Sequence, residues 1–324
     1  MKVLVTGGAG YVGSHTAQAL VDGGHQVVVL DNLSQGRAAY VPDGATLVQG
    51  DLHDPALVAS TFAAHEPEAV LHFAALSLVG ESMQRPWHYF RQNVGGAITL
   101  LEAAAAAGVG RFILSSTANL FGEPQVVPIT ESEMIAPGSP YGESKYMIER
   151  MLHWAHTVHG MHYACLRYFN AAGADPPGRR GEWHQPETHL IPIILQVAAG
   201  QRAAITVFGD DYATPDGTCI RDYIHVCDLA DAHVLALAQL DNRNLVLNLG
   251  NGLGYSVMEV IESARRVTGH PIPVVRGERR AGDPPVLVAA SDEARRLLGW
   301  APRFAALDDI VRTAWDWHRH HPNG

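Results

Sequence analysis

Two kinds of apolar pattern alternate along the first half of the chain. Short, nearly continuous apolar runs at 3–6, 26–30, 47–49, 69–73, 111–115 and 163–168 predict strands buried on both faces, as in a covered parallel sheet. Between them, helical periodicity predicts helices at 11–22, 55–64, 86–107 and 139–159. The punctuation agrees with this division. Gly23 and Gly24 close the first helix, Pro55 opens the second, and Gly108 ends the third. Repeated βα units of this length predict an α/β fold built on a doubly wound parallel sheet. Beyond 170 the rhythm changes. Residues 171–187, rich in Pro, Gly and charge, read as a long loop. Helices at 189–199, 228–240 and 256–268, strands at 205–208, 245–249 and 272–275, and two terminal helices follow. This predicts a large domain over 1–170 and a smaller α/β domain over 171–324, some of whose elements return to the large sheet.

Charge and composition narrow the function. A net charge of −10 without a basic block argues against nucleic acid or an anionic membrane as partner. The apolar stretches are too short and interrupted to predict a membrane span. No signal-like segment precedes the first strand. Cys165, Cys219 and Cys227 form no Cys-x-x-Cys and read as buried reduced thiols of a cytoplasmic protein. The histidines of the tail, His318, His320 and His321, have no accompanying carboxylate or cysteine cluster and read as a solvated helix end, so no metal is expected.

The candidate chemistry begins at the first βα turn, Thr6-Gly-Gly-Ala-Gly-Tyr-Val-Gly13. Glycines at 7 or 8, 10 and 13 permit a tight turn, close approach to a pyrophosphate and close helix–sheet packing. The following helix offers N–H donors to the phosphate. Asp31, ending the second strand, suits the ribose 2′-hydroxyl of NAD and repels the 2′-phosphate of NADP; Arg37, farther along the loop, is the one cation that argues the other way. These features predict a Rossmann-type dinucleotide site for NAD. A second signal is Tyr141-x-x-x-Lys145 in the helix 139–159. The chain has only two lysines among its 23 Lys and Arg, so a mid-chain lysine suggests chemistry that arginine cannot do. Spacing by four places both side chains on one helical face, where an ammonium can lower a phenol pKa. Thr117, closing the strand 111–115, adds a hydroxyl at a strand end, where open α/β sheets bind ligands. Together these residues predict acid–base chemistry during hydride transfer.

The glycine turn, Thr117 and Tyr141-x-x-x-Lys145 resemble the extended short-chain dehydrogenase/reductase superfamily. Within it the chain resembles the UDP-glucose 4-epimerase family essentially end to end. The resembling segments include Leu30-Asp-Asn-Leu33, Ser139-Pro-Tyr-Gly-Glu-Ser-Lys145, Leu166-Arg-Tyr-Phe-Asn170, Arg221-Asp-Tyr-Ile-His225 and Arg279-Arg-Ala-Gly-Asp283. The resemblance implies reversible C4 epimerisation of UDP-glucose and UDP-galactose through a transient 4-keto sugar, with NAD held tightly and no net redox. Tyr141 would take the 4-hydroxyl proton while the C4 hydride passes to the nicotinamide. Lys145 would lower the tyrosine pKa, and Thr117 would hold the 4-oxygen. The cofactor positions carried over are Gly7, Gly10, Tyr11, Val12, Gly13, Asp31, Asn32, Asp51, Leu52, Phe73, Ala74, Ala75, Asn93, Ser115, Tyr141, Lys145 and Tyr168. For the UDP-sugar, besides Thr117 and Tyr141, they are Asn170, His189, Leu190, Thr206, Phe208, Arg221, Arg280, Asp283 and Leu287. Some family members carry Asn at the position of His189. Leu287, intermediate in size, aligns with the wall facing the sugar 2-substituent. Homodimers form in the family through helices equivalent to 86–107 and 139–159.

Two neighbouring activities remain open: 4-epimerisation of UDP-GlcNAc and UDP-GalNAc, or of UDP-xylose and UDP-arabinose. A 4,6-dehydratase would need an Asp-Glu pair after the strand-end Thr, and Ala118-Asn119 stands there instead. A non-catalytic NAD-sensing protein of the same fold would have no need of Tyr141 and Lys145.

Overall fold

The computed structural model describes residues 1–279 and 283–321. Seven parallel strands form the main sheet, in the spatial order 245–249, 162–168, 111–117, 69–72, 2–6, 26–31, 46–49. The order reverses beside strand Lys2–Thr6. Successive strands run outward on one side to Thr46–Gln49 and on the other to His162–Tyr168, which opens a crevice at the carboxyl ends of the central strands. Both faces are covered, which is why the strands read as unbroken apolar runs. Helices Tyr11–Asp22 and Val226–Leu237 pack on one face around Val3, Val5, Leu71 and Leu166. Helices Pro55–His65, Gly96–Ala106 and Pro140–His159 pack on the other around Leu4, Val70, Phe112 and Leu114. Strand Leu245–Leu249 comes from the second half of the chain and joins the edge of this sheet beside His162–Tyr168.

Local chemistry sets the helix ends. Asp54 accepts from the Ala56 and Leu57 N–H groups ahead of a helix that begins with Pro55. Ser139 accepts from Gly142 N–H and is followed by Pro140, and Gly160 at φ 72° closes the same helix. Ser256 and Glu259 form a reciprocal capping box on helix Val257–Thr268.

The helix expected over 86–107 is interrupted. It runs as an α-helical turn Pro86–Tyr89, a π-helical stretch Phe90–Gly95, then α-helix Gly96–Ala106. The wider turn buries Asn93 and sets Gly95 and Gly96 against His53 and Leu52. The strand expected at 272–275 lies at Val274–Gly277, because Pro271 and Pro273 cannot donate to a ladder. Four short strands had no legible pattern. Ile220–His225, Asn170–Ala172, Gly254–Ser256 and Val286–Leu287 make a separate small sheet assembled from distant segments. The tail also differs from expectation. His318 is buried and stacks on Trp315, whereas His320 is exposed, as expected of a solvated helix end, with Nδ1 bonded to the Asp316 carbonyl. Among the described residues no helix is long and apolar enough to cross a membrane.

Candidate active site

The first element of the site is the turn after strand Lys2–Thr6. Gly7 has φ 74°, and a Cβ there would lie 2.5 Å from the Ala74 nitrogen. A Cβ on Gly13 would lie 2.2 Å from the Gly7 carbonyl oxygen. Both glycines are therefore required by close backbone approach. Gly10 is less confined: its Cβ would meet only the Gly7 carbonyl oxygen, a tight contact at 3.3 Å. Helix Tyr11–Asp22 starts there without a side-chain cap, leaving the first-turn N–H groups of Tyr11, Val12 and Gly13 to an anion. The Tyr11 hydroxyl donates to the Gly173 carbonyl (2.6 Å), tying this helix start to the loop beyond residue 172.

Asp31 is buried at the end of the next strand. One carboxylate oxygen accepts from Ala9 N–H (2.9 Å) and the other from Leu33 N–H (2.8 Å), and Leu33 adopts φ 59° in the turn. Arg37 is turned to the aromatic rings of Trp183 and Tyr40. Asn32 donates to Asp51 (2.8 Å), and Asp51 also accepts from the His53 N–H (2.9 Å), which orders the loop carrying Leu52. Phe73 and Ala74 both donate N–H groups to the Thr6 carbonyl, and this bond keeps the 73–75 segment against the glycine turn. Asn93 is engaged on both sides of its amide. It accepts from Leu76 N–H (2.8 Å) and donates to the Leu76 carbonyl (3.0 Å) and the Ser144 hydroxyl (2.9 Å). It therefore fastens the segment after strand Ala69–His72 to helix Pro140–His159. This donor set fits a dinucleotide: open N–H groups at a helix start, a buried carboxylate one strand over, and a cradle that a Cβ would fill.

Tyr141, Lys145 and Thr117 meet at the carboxyl end of strand Arg111–Thr117, all buried. Lys145 donates to the Ser115 carbonyl (2.7 Å), and burial lowers its pKa to about 8. The Thr117 hydroxyl oxygen accepts from the Asn119 backbone and side-chain amides, both at 3.1 Å. Burial raises the Tyr141 phenol, and the neighbouring Thr117 hydroxyl pulls it the other way. The depression expected from Lys145 is therefore not present in the protein alone: burial dominates, only the Thr117 hydroxyl opposes it, and the ammonium is turned to a carbonyl. Ser115 hydrogen-bonds the Tyr168 hydroxyl across the two adjacent strands.

Beneath this trio lies a pair that the sequence did not announce. Glu149, one turn beyond Lys145, receives Arg167 through two bonds (3.0 and 2.6 Å) and the Ser116 hydroxyl (2.6 Å). Both charges are buried. His72 bonds Thr6 (2.7 Å) and is held neutral, its pKa lowered to about 3 by burial and by Lys145. The helix spacing 141, 145, 149 was the one available signal for Glu149.

The predicted substrate residues come from several segments. Asn170 donates to the Asp222 carbonyl (2.9 Å) and extends strand His162–Tyr168 into the small sheet. Arg221 pairs with Asp283 and lies opposite Leu287 in the ladder. Leu287 packs with Ala118, Phe121, Ile129 and Phe169, next to the Thr117 strand end. Thr206 and Phe208 share the exposed face of strand Ile205–Phe208, and Gly277 opposite leaves them room. His189 precedes Leu190 at the start of helix Leu190–Ala198, and its imidazole is turned to Glu182 (2.6 Å). Arg280 lies outside the described residues.

Residues 3–250 match the model of the NAD dependent epimerase/dehydratase family. The chain belongs to that family. It is similar to the UDP-glucose 4-epimerase of Halalkalibacterium halodurans, 53% identical with 100% of this chain and 97% of the relative covered. Among solved structures it is similar to UDP-glucose 4-epimerase from Brucella ovis in complex with NAD. There the TM-score is 0.94 at 48% identity, covering 97% of each chain. It is also similar to UDP-glucose-4-epimerase from Stenotrophomonas maltophila with bound NAD and formylated UDP-arabinopyranose. In that case the TM-score is 0.96 at 43% identity, covering 100% of this chain and 99% of the other.

Proposed function

We propose that this chain interconverts UDP-glucose and UDP-galactose by inverting C4. The observation that carries the proposal is the meeting of Thr117, Tyr141 and Lys145 at one strand end, between the glycine turn and the Arg221–Leu287 ladder. Full-length similarity to UDP-glucose 4-epimerases supports it. When bound, NAD supplies a positive charge and a hydride acceptor beside the sugar. Tyr141 accepts the 4-hydroxyl proton as the C4–H bond breaks and returns it on the opposite sense of the cycle. Because burial keeps the phenol above its usual pKa, proton acceptance needs a second positive charge near Tyr141 in addition to Lys145. Thr117 holds the 4-oxygen. Lys145, fixed on the Ser115 carbonyl, keeps its charge close to the phenol. Gly7, Gly10 and Gly13, with the first-turn N–H groups, receive the pyrophosphate of the cofactor, and buried Asp31 selects NAD over NADP. Arg221 and Asp283, with Asn170, Leu190, Thr206 and Phe208, frame the UDP.

Leu287 forms the wall at the sugar 2-position. Its intermediate size favours hexoses lacking an N-acetyl group. The chain forms a homodimer through the faces of 86–106 and 140–159, where Trp87, Ile98, Met147, Trp154 and Val158 are exposed. Its three free cysteines fit a cytoplasmic setting. The test is turnover of UDP-galactose by the purified protein without added reductant. A fixed UDP-glucose to UDP-galactose ratio without accumulating NADH is expected, with UDP-GalNAc slower in parallel. Tyr141→Phe should lower kcat by roughly 10²–10⁴-fold while NAD content is kept. Preferred turnover of UDP-GalNAc, or an active Tyr141→Phe variant, would reject the proposal.

A further inference from the structure

The loop 173–189 carries Glu182-x-His184-x-x-Glu187-x-His189. No metal was expected here, since the one histidine cluster that drew attention in the sequence was the tail. Among the described residues this is the one group of three or more potential metal ligands whose donor atoms converge, all within 4.8 Å of one another. The Glu182 and Glu187 side chains are only 7% and 5% exposed, so two carboxylates are held together largely out of water. Such a pair requires about two compensating positive charges.

Two protonated histidines could supply them, and the carboxylates do raise both imidazoles, His184 to about 9 and His189 to about 10. Geometry argues against protons as the whole answer. His189 Nδ1 lies 2.6 Å from Glu182 Oε1, a good hydrogen bond. His184 Nδ1 lies 3.5 Å from the same oxygen and 3.7 Å from Glu187 Oε2, too far to donate well to either. That nitrogen is buried and has no hydrogen-bond partner. A proton there would be wasted.

A cation would use it. Tetrahedral coordination at ~2.0–2.1 Å sets neighbouring ligand atoms ~3.3 Å apart. With Glu187 Oε2 as the ligand atom, the separations of 3.5 and 3.7 Å lie close to that edge, and the 2.6 Å pair needs only to open. Glu187 is already oriented from behind. Its Oε1 accepts from the Thr188 and His189 N–H groups, both at 2.8 Å, and Oε2 is left to face the cluster. Two imidazoles and two carboxylates form a neutral set around a divalent ion.

We propose that Glu182, His184, Glu187 and His189 form a structural site for one first-row divalent cation, zinc by its donor set and tetrahedral spacing. The ligand class follows from imidazole and carboxylate donors in a four-coordinate cage. The site joins two parts of the molecule. His184 packs edge-on against Tyr11, at a ring separation of 6.4 Å, and Tyr11 opens the helix after the glycine turn. His189 immediately precedes helix Leu190–Ala198. The bound ion therefore fixes the loop that connects the dinucleotide turn to the other half of the crevice. The inference does not depend on which sugar is turned over.

The test is metal analysis of untagged protein, purified without added metal, and cobalt(II) titration of the chelator-treated protein. One equivalent per chain is expected, with the intense visible bands of tetrahedral cobalt and a rise in Tm that is absent after chelation. His184→Ala and Glu187→Gln should each reduce metal content at least tenfold. Glu187→Gln keeps the backbone acceptor, so it tests the site even if His184→Ala folds poorly. The double variant His320→Ala/His321→Ala should keep full occupancy. Absence of retained metal together with absence of cobalt uptake by wild type would overturn the proposal. Undiminished binding by folded Glu187→Gln would do the same.

Discussion

Lys145 is 1% exposed, and its ammonium donates to the Ser115 carbonyl. Burial brings its pKa from 10.5 down to about 8. The unfolded lysine still holds its proton up to about 10.5, so between pH 8 and 10.5 the unfolded chain binds more protons than the folded one. Folding stability from this group therefore rises with pH across that window, and the full cost of burying the charge is present below pH 8. The gain over the whole window is on the order of 3 kcal/mol. Urea unfolding of wild type and Lys145→Met at pH 7 and pH 9.5 checks it. The stability of wild type relative to the variant should increase at the higher pH, since alkaline effects elsewhere are common to both. An unchanged difference would show that Lys145 titrates as an ordinary lysine. This residue was legible because lysine is so scarce in the chain. Tyr141, Thr117 and the glycines were legible because their chemistry dictates residue type. The pKa of Tyr141 was not, because it depends on how deeply the site is buried.

At the scale of elements, the site rests on how helix Pro140–His159 is bolted to strand His162–Tyr168. Glu149 and Arg167 make that bolt, with Ser116 from the neighbouring strand as a third partner. Removing one member leaves a buried charge unpaired. Arg167→Met should cost about 3–5 kcal/mol, whereas Arg167→Met combined with Glu149→Leu should recover much of the loss. A double-mutant cycle by chemical denaturation measures this, and a cost below ~1 kcal/mol for the single variant would show that the pair is not confined as described. Glu149 offered only its helical spacing from Tyr141 and Lys145, and nothing in the sequence marked Arg167 as its partner, since an Arg and a Glu eighteen positions apart resemble any surface charges. The π-helical stretch Phe90–Gly95 was hidden for a related reason. Its apolar periodicity differs from an α-helix by a single residue, and the selecting contact is the Asn93 amide on Leu76, outside the helix. The long strands and capped helices were legible because their signals are local. The small sheet of Ile220–His225 and its neighbours was not, because its pairing partners are supplied by segments far apart in the chain.

At the scale of the molecule, one surface is out of keeping with the rest. Trp87 is 72% exposed, Trp154 58% and Val158 66%. Together with Ile98 and Met147 they lie on the outer faces of the 86–106 and 140–159 segments, and a groove lined by Trp87, Phe90, Val94, Ile98 and Met147 runs between them. A contiguous apolar face of this kind favours association, and the homodimer proposed above would bury it against a second copy of the same two segments. Tyr141 and Lys145 face inward from the same helix, so association would stiffen the element that carries the candidate acid–base pair without covering it. Sedimentation should give twice the 34.9 kDa of a single chain at micromolar concentration. Ile98→Asp with Met147→Asp places charges on this face without touching Tyr141, Lys145 or the Glu149–Arg167 pair, and should yield folded monomers. A wild-type monomer at all concentrations, or a doubly charged variant that remains dimeric, would assign the exposed tryptophans another purpose.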